Sequence, residues 1–309
     1  MEWELIRWLR GRLDQNDDVL VGIGDDAAVL RTHGQNIVVT SDMLMDGVDF
    51  HVQEVEPQRI GRKSLAVNLS DLAAMAAQPL AAFVSLGLPE QGGAEFVEAF
   101  YEGLAQLAAE FDISIAGGDT NIYNGPLVIS ITAIGLATPR GVLRRSGAQP
   151  GDAIVTTGSF GFSIEGHHFD FTPRVREALL LHERYKLHAG IDVSDGLSLD
   201  LWHICEESGC GAILDVAGIP ISEAGRHSNL VAGDVGLLLC RALSDGEDFE
   251  LVLATPPDEA ARMIQEQPLS STKLSRIGEF VAEPGLWLRE ADGALHPVEP
   301  AGYEHKLLA

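Results

Sequence analysis

Val21-Gly22-Ile23-Gly24-Asp25-Asp26-Ala27-Ala28-Val29-Leu30 decides the reading of this chain: an apolar run ends in glycines, two adjacent carboxylates follow, and a second apolar run begins at once. Two like charges side by side repel, and beside core-forming segments a cation is the natural neutraliser. The glycines let the backbone turn sharply and come close to a ligand. The same grammar, an apolar run followed by a small residue and an aspartate, recurs at Val39-Thr40-Ser41-Asp42, Val67-Asn68-Leu69-Ser70-Asp71, Ile115-Ala116-Gly117-Gly118-Asp119 and Ile191-Asp192-Val193-Ser194-Asp195. These aspartates are expected to converge on divalent metals that hold phosphates.

Around these motifs the composition is that of a folded protein. The 309 residues suffice for two domains with cores, and 46% hydrophobic against 22% charged residues fits a folded globular protein. A formal net charge of -25 repels nucleic acid and anionic membrane surfaces, so neither is expected as a partner. A polyphosphate would have to be held through metals or a few local arginines. Cys205, Cys210 and Cys240 form no C-x-x-C pair, which speaks against a disulfide framework or zinc ribbon and for a reducing, cytoplasmic setting. Met1 to Ile6 carries acids where a signal peptide would carry a basic n-region. The apolar window Leu72 to Leu88 is broken by Gln78 and Pro79, so it reads as helix, turn and strand, not as a membrane span.

Apolar spacing predicts a helix over Glu2 to Leu13, then short strands over Val19 to Ile23, Ala27 to Leu30 and Ile37 to Thr40. Gly22-x-Gly24-x-x-Ala27 formally matches the dinucleotide fingerprint, but that motif must open a helix and only a short strand fits before Gly34. A Rossmann reading is therefore rejected. Gly61-Arg62-Lys63-Ser64 lacks the earlier glycine of a phosphate-binding P-loop. Arg59 to Met75 reads as a helix that places Asp71 in a close-packed setting, and Leu80 to Leu88 and Leu127 to Leu136 read as strands. Gly93 to Phe111 is a second helix, and Ile113 to Ala116 a strand delivering Gly117-Gly118-Asp119 at its end. Gly141 to Asp152 is a linker, giving domains over 1–148 and 149–309. The second domain alternates strands at Ala153 to Gly158, Ala189 to Val193 and Ala212 to Val216 with helices at Val175 to His188 and Leu197 to Ser208. A helix around Leu237 to Leu243, a strand ending at Ala254, and short strands and turns from Leu274 to Ala309 complete an α/β (α+β) chain. His167, His168 and Asp170 lack an i, i+4 metal-ligand pair and read as a solvated loop.

Taken together, the motifs Gly22 to Ala28, Thr40-Ser41-Asp42, Leu65 to Met75, Gly117-Gly118-Asp119-Thr120, Arg145 to Asp152, Asp192 to Leu197 and Gly246-Glu247-Asp248-Phe249-Glu250-Leu251 resemble the thiamine-monophosphate kinase family. That family belongs to the aminoimidazole ribonucleotide synthetase-like superfamily. The match runs in order from near residue 20 to Gly302-Tyr303-Glu304-His305. The resemblance implies an ATP-dependent kinase that transfers the γ-phosphoryl group directly to thiamine monophosphate. It implies an N-terminal α/β domain whose strands pair across a homodimer and a C-terminal α/β domain that completes the active site. Carried over by motif, Asp26, Asp42, Asp71, Asp119, Asp192 and Asp195 are expected to hold several Mg2+ ions, with Thr40 and Ser41 assisting. Gly118, Asp119, Arg145 and Ser194 are expected at the nucleotide, and Glu247 and Tyr303 at the thiamine moiety.

The chemistry is consistent with that carry-over. ATP and a phosphomonoester repel unless cations bridge their oxygens, and Mg2+ prefers hard oxygen ligands over His or Cys. The acceptor phosphate, with a second pKa of about 6, needs no strong general base. Two features depart from the family pattern. Gly47-Val48-Asp49-Phe50-His51 has Asp49 where the family has a substrate-binding histidine, and the segment between Gly166 and Pro173 is short. The alternatives are another ATP-dependent enzyme of the superfamily with a different small acceptor, or a catalytically silent nucleotide-binding homologue.

Overall fold

Strand β3 (Ile37–Met45) is the axis of the amino-terminal half. Its side chains alternate: Val38, Thr40 and Leu44 are buried on one face while Ser41 and Met43 are exposed on the other. The computed structural model describes residues 6–7, 10, 17–90, 93–227 and 234–304. Most of the helix expected over Glu2 to Leu13 lies outside them; Ile6, Arg7 and Arg10, which are described, are helical. The chain divides into two compact units. One comprises Asp14–Gly141 with Phe169–Val175, the other Met1–Leu13, Val142–His168 and Arg176–Ala309.

In the amino-terminal unit, β1 (Val19–Val21), β2 (Ala28–Leu30), β3, helix α1 (Pro57–Ala74), β4 (Gln78–Pro89), α2 (Ala94–Glu110), β5 (Ser114–Tyr123) and β6 (Val128–Leu136) follow in sequence. The six strands form one sheet in the order β1-β2-β3-β6-β4-β5, antiparallel except for the parallel pair β4 and β5. Strand β2, and no helix, follows the Gly22 to Ala27 turn, which removes the dinucleotide fingerprint. Helix α1 starts with Pro57 in its first turn, where the missing N–H costs nothing, and buries Ile60, Leu65, Leu69 and Leu72.

Two strands outrun their expected ends. β3 continues past Thr40 because Asp42 pairs in register with Ile131 of β6, so the aspartate sits inside a ladder and not after it. β5 continues through Gly117, Gly118 and Asp119 to Tyr123, with an irregularity opposite Ala82 and Phe83. Gly118 makes this passage possible: its φ is 153°, and a Cβ there would lie 1.7 Å from the Val84 carbonyl oxygen. Asp119 therefore projects from mid-strand, not from a strand end.

The carboxy-terminal unit contains β7 (Ala153–Thr157), the short helix α3 (His167–Asp170), α4 (Val175–Arg184), β8 (Ala189–Asp192), α5 (Leu197–Ser208), β9 (Gly211–Asp215), α6 (Glu223–His227), α7 (Val235–Ser244), β10 (Leu251–Thr255), α8 (Pro257–Glu266), β11 (Leu274–Val281), β12 (Leu286–Arg289) and β13 (Leu295–Pro297). After His168 the chain lends Phe169–Val175 to the amino-terminal unit. The seven strands run β13-β12-β9-β11-β7-β10-β8, antiparallel except for β9 with β12. Ile154, Ile191, Leu201, Ile204, Leu214, Val252, Ile277 and Phe280 form its core. Among the described residues no helix is long and apolar enough to cross a membrane.

Candidate active site

The amino-terminal unit gathers its acids on the helix-facing side of β3. Thr40 Oγ1 donates to Asp71 Oδ2 of α1, and carboxylate oxygens of Asp26 and Asp71 lie within 4.8 Å of one another. Asp42, two residues along the same face of β3, is partly buried; desolvation pushes its pKa up to about 6, opposed by a hydrogen bond with Asp71 and helped by the charge of Asp49. Its Oδ2 is buried without a hydrogen-bond partner. A bare, buried carboxylate oxygen among further carboxylates costs free energy in a protein without cations and suits a hard divalent ion. The residues present thus fit Mg2+. Ser41 alternates to the other face, where its hydroxyl meets Thr132 Oγ1 at 3.0 Å, so the structure does not bring that hydroxyl to the group.

Asp49 is held from behind. Its Oδ2 accepts from the Met45 N–H at 2.7 Å, and Lys63 Nζ donates to its carbonyl at 3.2 Å. Lys63 itself is fully buried in α1 beneath the Phe169 ring, 5.1 Å from the centroid, which is no place for a P-loop lysine. Asp49 adds a negative charge near Asp42 where the family pattern would put an imidazole. Asp119, exposed on β5, accepts from the Thr120 N–H at 2.9 Å and the Asn121 amide at 3.3 Å.

In the carboxy-terminal unit, the turn after β8 is the organising element. Asp192, 2% exposed, ends the strand opposite Leu251. Three backbone bonds then tie two further segments to this turn: the Val193 N–H donates to Glu250 O at 2.8 Å, the Glu247 N–H to Ser194 O at 2.7 Å and the Tyr303 N–H to Asp195 O at 2.9 Å. Gly246 is what lets the Glu247 segment so close, since a Cβ there would lie 2.6 Å from Ser194 O. Asp192, Ser194, Asp195, Glu247 and Tyr303, up to 111 positions apart, are thus brought together by main-chain bonds. Glu247 is itself left-handed at φ 64°, a conformation a non-glycine residue adopts at some cost and that recurs at functional sites.

Two residues beneath this turn are missed by sequence reading. Asp200 in the first turn of α5 accepts from the N–H groups of Asp195 and Gly196, both at 3.0 Å. Burial, then the charges of Asp195 and Asp192, hold its pKa well above the carboxylate range. One ligand atom each of Asp195, Asp200 and His203 lie within 4.8 Å of one another. Burial, with the positive charges of Arg145 and Arg7, pushes His203 down to about 3, so it is neutral at physiological pH. Arg145 is therefore within electrostatic reach of this turn. An aspartate three residues into a helix reads as an ordinary first-turn acid, and only Ser194-Asp195-Gly196 ahead of it could have flagged it.

The acids after α7 grip the opposite loop. Thr157 Oγ1 donates to Glu250 Oε2 at 2.6 Å, the Gly161 N–H to Asp248 at 3.0 Å, Ser163 Oγ to Asp248, and the Phe162 N–H to Asp245 Oδ2 at 2.9 Å. Burial outweighs the Ser163 and Gly161 donors and pushes Asp248 up to about 7. Arg241 bonds Asp245 and Glu165 and stacks 3.8 Å over the Phe162 ring. His168, expected on a solvated loop, is instead buried and in contact with Glu247 through Nδ1.

This geometry can be set beside known proteins. Family models for the N-terminal and C-terminal domains of AIR synthase related proteins match residues 24–137 and 149–289. A thiamine-monophosphate kinase of Rhodopirellula baltica is 42% identical over 313 residues, covering 99% of this chain and 97% of that protein. The chain belongs to the thiamine-monophosphate kinase family. Among solved structures, AaThiL complexed with AMPPCP and TMP superimposes with a TM-score of 0.84 at 25% identity, covering 99% of this chain and 97% of that one. Thiamine-monophosphate kinase from Stenotrophomonas maltophilia K279a gives 0.73 at 36% identity, covering 94% and 95%. The two mixed sheets described above are thus the fold of this kinase family.

Proposed function

We propose that the chain transfers the γ-phosphoryl group of ATP to the phosphate of thiamine monophosphate, forming thiamine diphosphate in one in-line step. The observation that carries this reading is the buried, unpartnered Oδ2 of Asp42 beside Asp71, in a family whose solved member AaThiL is complexed with AMPPCP and TMP. Asp26, Asp42, Asp71, Asp119, Asp192 and Asp195 would hold several Mg2+ ions, with Thr40 orienting Asp71 and Ser41 assisting through its main chain only, since its hydroxyl lies on the other face. Bound Mg2+ would offset the repulsion between donor and acceptor phosphates. Gly118, Arg145 and Ser194 serve the nucleotide, the guanidinium matching phosphate geometry. Glu247 and Tyr303 face the thiamine moiety, where a carboxylate suits a cationic ring. Asp49 lies on the acceptor side and works only with a cation beside it. No side chain need act as a strong base, so catalysis rests on positioning and charge neutralisation.

The working form is proposed to be a cytoplasmic homodimer. The first sheet exposes Met43, Leu80, Phe83 and Ile122, and its edge strand β5 is exposed over nearly its whole length, a surface that isolated proteins seldom leave open. Sedimentation at micromolar concentration is expected to give twice the chain mass, and Phe83→Glu to give monomer; a monomeric wild type would reject this.

The function is tested directly. Purified protein with Mg2+, ATP and thiamine monophosphate is expected to release ADP and thiamine diphosphate in equal amounts, and Asp49→His is expected to retain product formation. ATP turnover only with another acceptor, or ATP binding without turnover, would replace this reading with one of its two alternatives.

A further inference from the structure

We propose that His168 is a positioning residue that aims the Glu247 carboxylate at the thiamine moiety of the substrate; this rests on the function proposed above. Four acids lie between Asp245 and Glu250, and three are occupied by the loop over Thr157 to Ser163: Asp245 by the Phe162 N–H and Arg241, Asp248 by Gly161 and Ser163, Glu250 by Thr157. Asp248 and Glu250 are 2% and 4% exposed. Glu247 differs from all three. Its side chain keeps 27% of its surface open, and the group that holds it is an imidazole whose own side chain is 8% exposed.

The geometry around the pair is fixed on both sides. The Glu247 backbone is left-handed and bonded to the Ser194 carbonyl, so its Cβ direction is set by the same turn that carries Asp192 and Asp195. Its remaining freedom lies in the side-chain torsions, and Nδ1 of His168 on Oε2 removes most of it. His168 is itself buried, and the chain directly after it belongs to the other unit. There Phe169 lies 5.1 Å beneath the Arg59 guanidinium, and the Asp170 carboxylate takes the Arg59 Nε at 3.0 Å. A carboxylate pinned to a buried histidine presents one orientation to a cation. The segment is short, yet it supplies a fixed orienting group.

The experiment compares His168→Leu, His168→Asn and His168→Gln with the wild type by steady-state kinetics, and by calorimetric binding of thiamine monophosphate. Asparagine places its amide nitrogen where Nδ1 was, whereas glutamine carries it beyond, so the two separate position from polarity. Removing a hydrogen bond to a charged group is expected to raise KM and Kd for thiamine monophosphate about tenfold or more in His168→Leu. KM for ATP and kcat should stay within about twofold, since the lost contact is a uniform binding interaction. His168→Asn should remain within about threefold of wild type and His168→Gln fall between. If the leucine variant does not fold, the asparagine and glutamine pair decides alone. In a Glu247→Gln background the His168 changes should have little further effect. Unchanged Kd in His168→Leu, equal losses for ATP and thiamine monophosphate, or glutamine matching asparagine would overturn the inference. Absence of thiamine diphosphate from the wild type would instead end the functional reading, and this inference with it.

Discussion

Asp71→Asn is expected to lower kcat for thiamine diphosphate formation by on the order of 10³-fold, the scale of losing one preorganised electrostatic group from a transition state built on charge neutralisation. Asp71 is the residue on which the amino-terminal acids meet: Thr40 donates to it, Asp26 lies within 4.8 Å and Asp42 shares a hydrogen bond with it. Asparagine keeps the shape and an acceptor for Thr40 but loses the charge a divalent ion requires. The same change removes one of several mutually repelling carboxylates, so without divalent cations the variant should melt no lower than the wild type. That pairing, a collapse of kcat with an unchanged or higher Tm, separates loss of metal binding from loss of fold. It is read by product formation at saturating ATP and Mg2+ beside a melting curve in chelator. A kcat within tenfold of the wild type would remove Asp71 from the catalytic group.

Why this cluster was legible in the sequence and its surroundings were not follows from range. An aspartate within a few residues of the end of an apolar run is a local signal, and Asp26, Asp42, Asp71, Asp192 and Asp195 all carry it. The backbone around them was harder to read. Aspartate is depleted from strands, so β3 was expected to stop at Thr40 and β5 before Asp119; cross-strand pairing with β6 and the close approach of Gly118 to Val84 overrode that propensity. Helix α8 carries local marks of its start, with Pro257 at its first position and Asp258 and Glu259 in its first turn, and it buries Ala260 and Met263. His168 carried none. Its partner Glu247 is 79 positions away, and a histidine pair in a short polar segment looks the same whether it is solvated or buried. Residues that orient others are found only once long-range contacts are known.

Mg2+ is expected to raise Tm by several degrees at pH 8 and by about half as much at pH 5, and the reason lies in Asp42. In the cation-free protein its pKa is about 6 against 3.8 for the ordinary side chain, so between these values the folded state binds more protons than the unfolded. Stability contributed by the protonated group is therefore full below about pH 4 and is lost as pH rises through about 6. A cation reverses the sign: it needs the ionised carboxylate, and each pH unit below 6 costs its binding about 1.4 kcal/mol at this group alone. At free Mg2+ about 100 times Kd, binding to the folded state alone contributes about 2.7 kcal/mol. With about 2–4 °C per kcal/mol for a unit of this size, the shift at pH 8 is about 5–10 °C. Asp42→Asn tests the assignment, because asparagine has no proton to lose. In that variant the cation-free protein should lose less stability between pH 5 and pH 8 than the wild type, and the Mg2+ shift should be small at both. Scanning calorimetry with and without Mg2+ at the two pH values gives all eight melting points. A wild-type shift equal at pH 5 and pH 8, or one that survives unchanged in Asp42→Asn, would place the cation elsewhere.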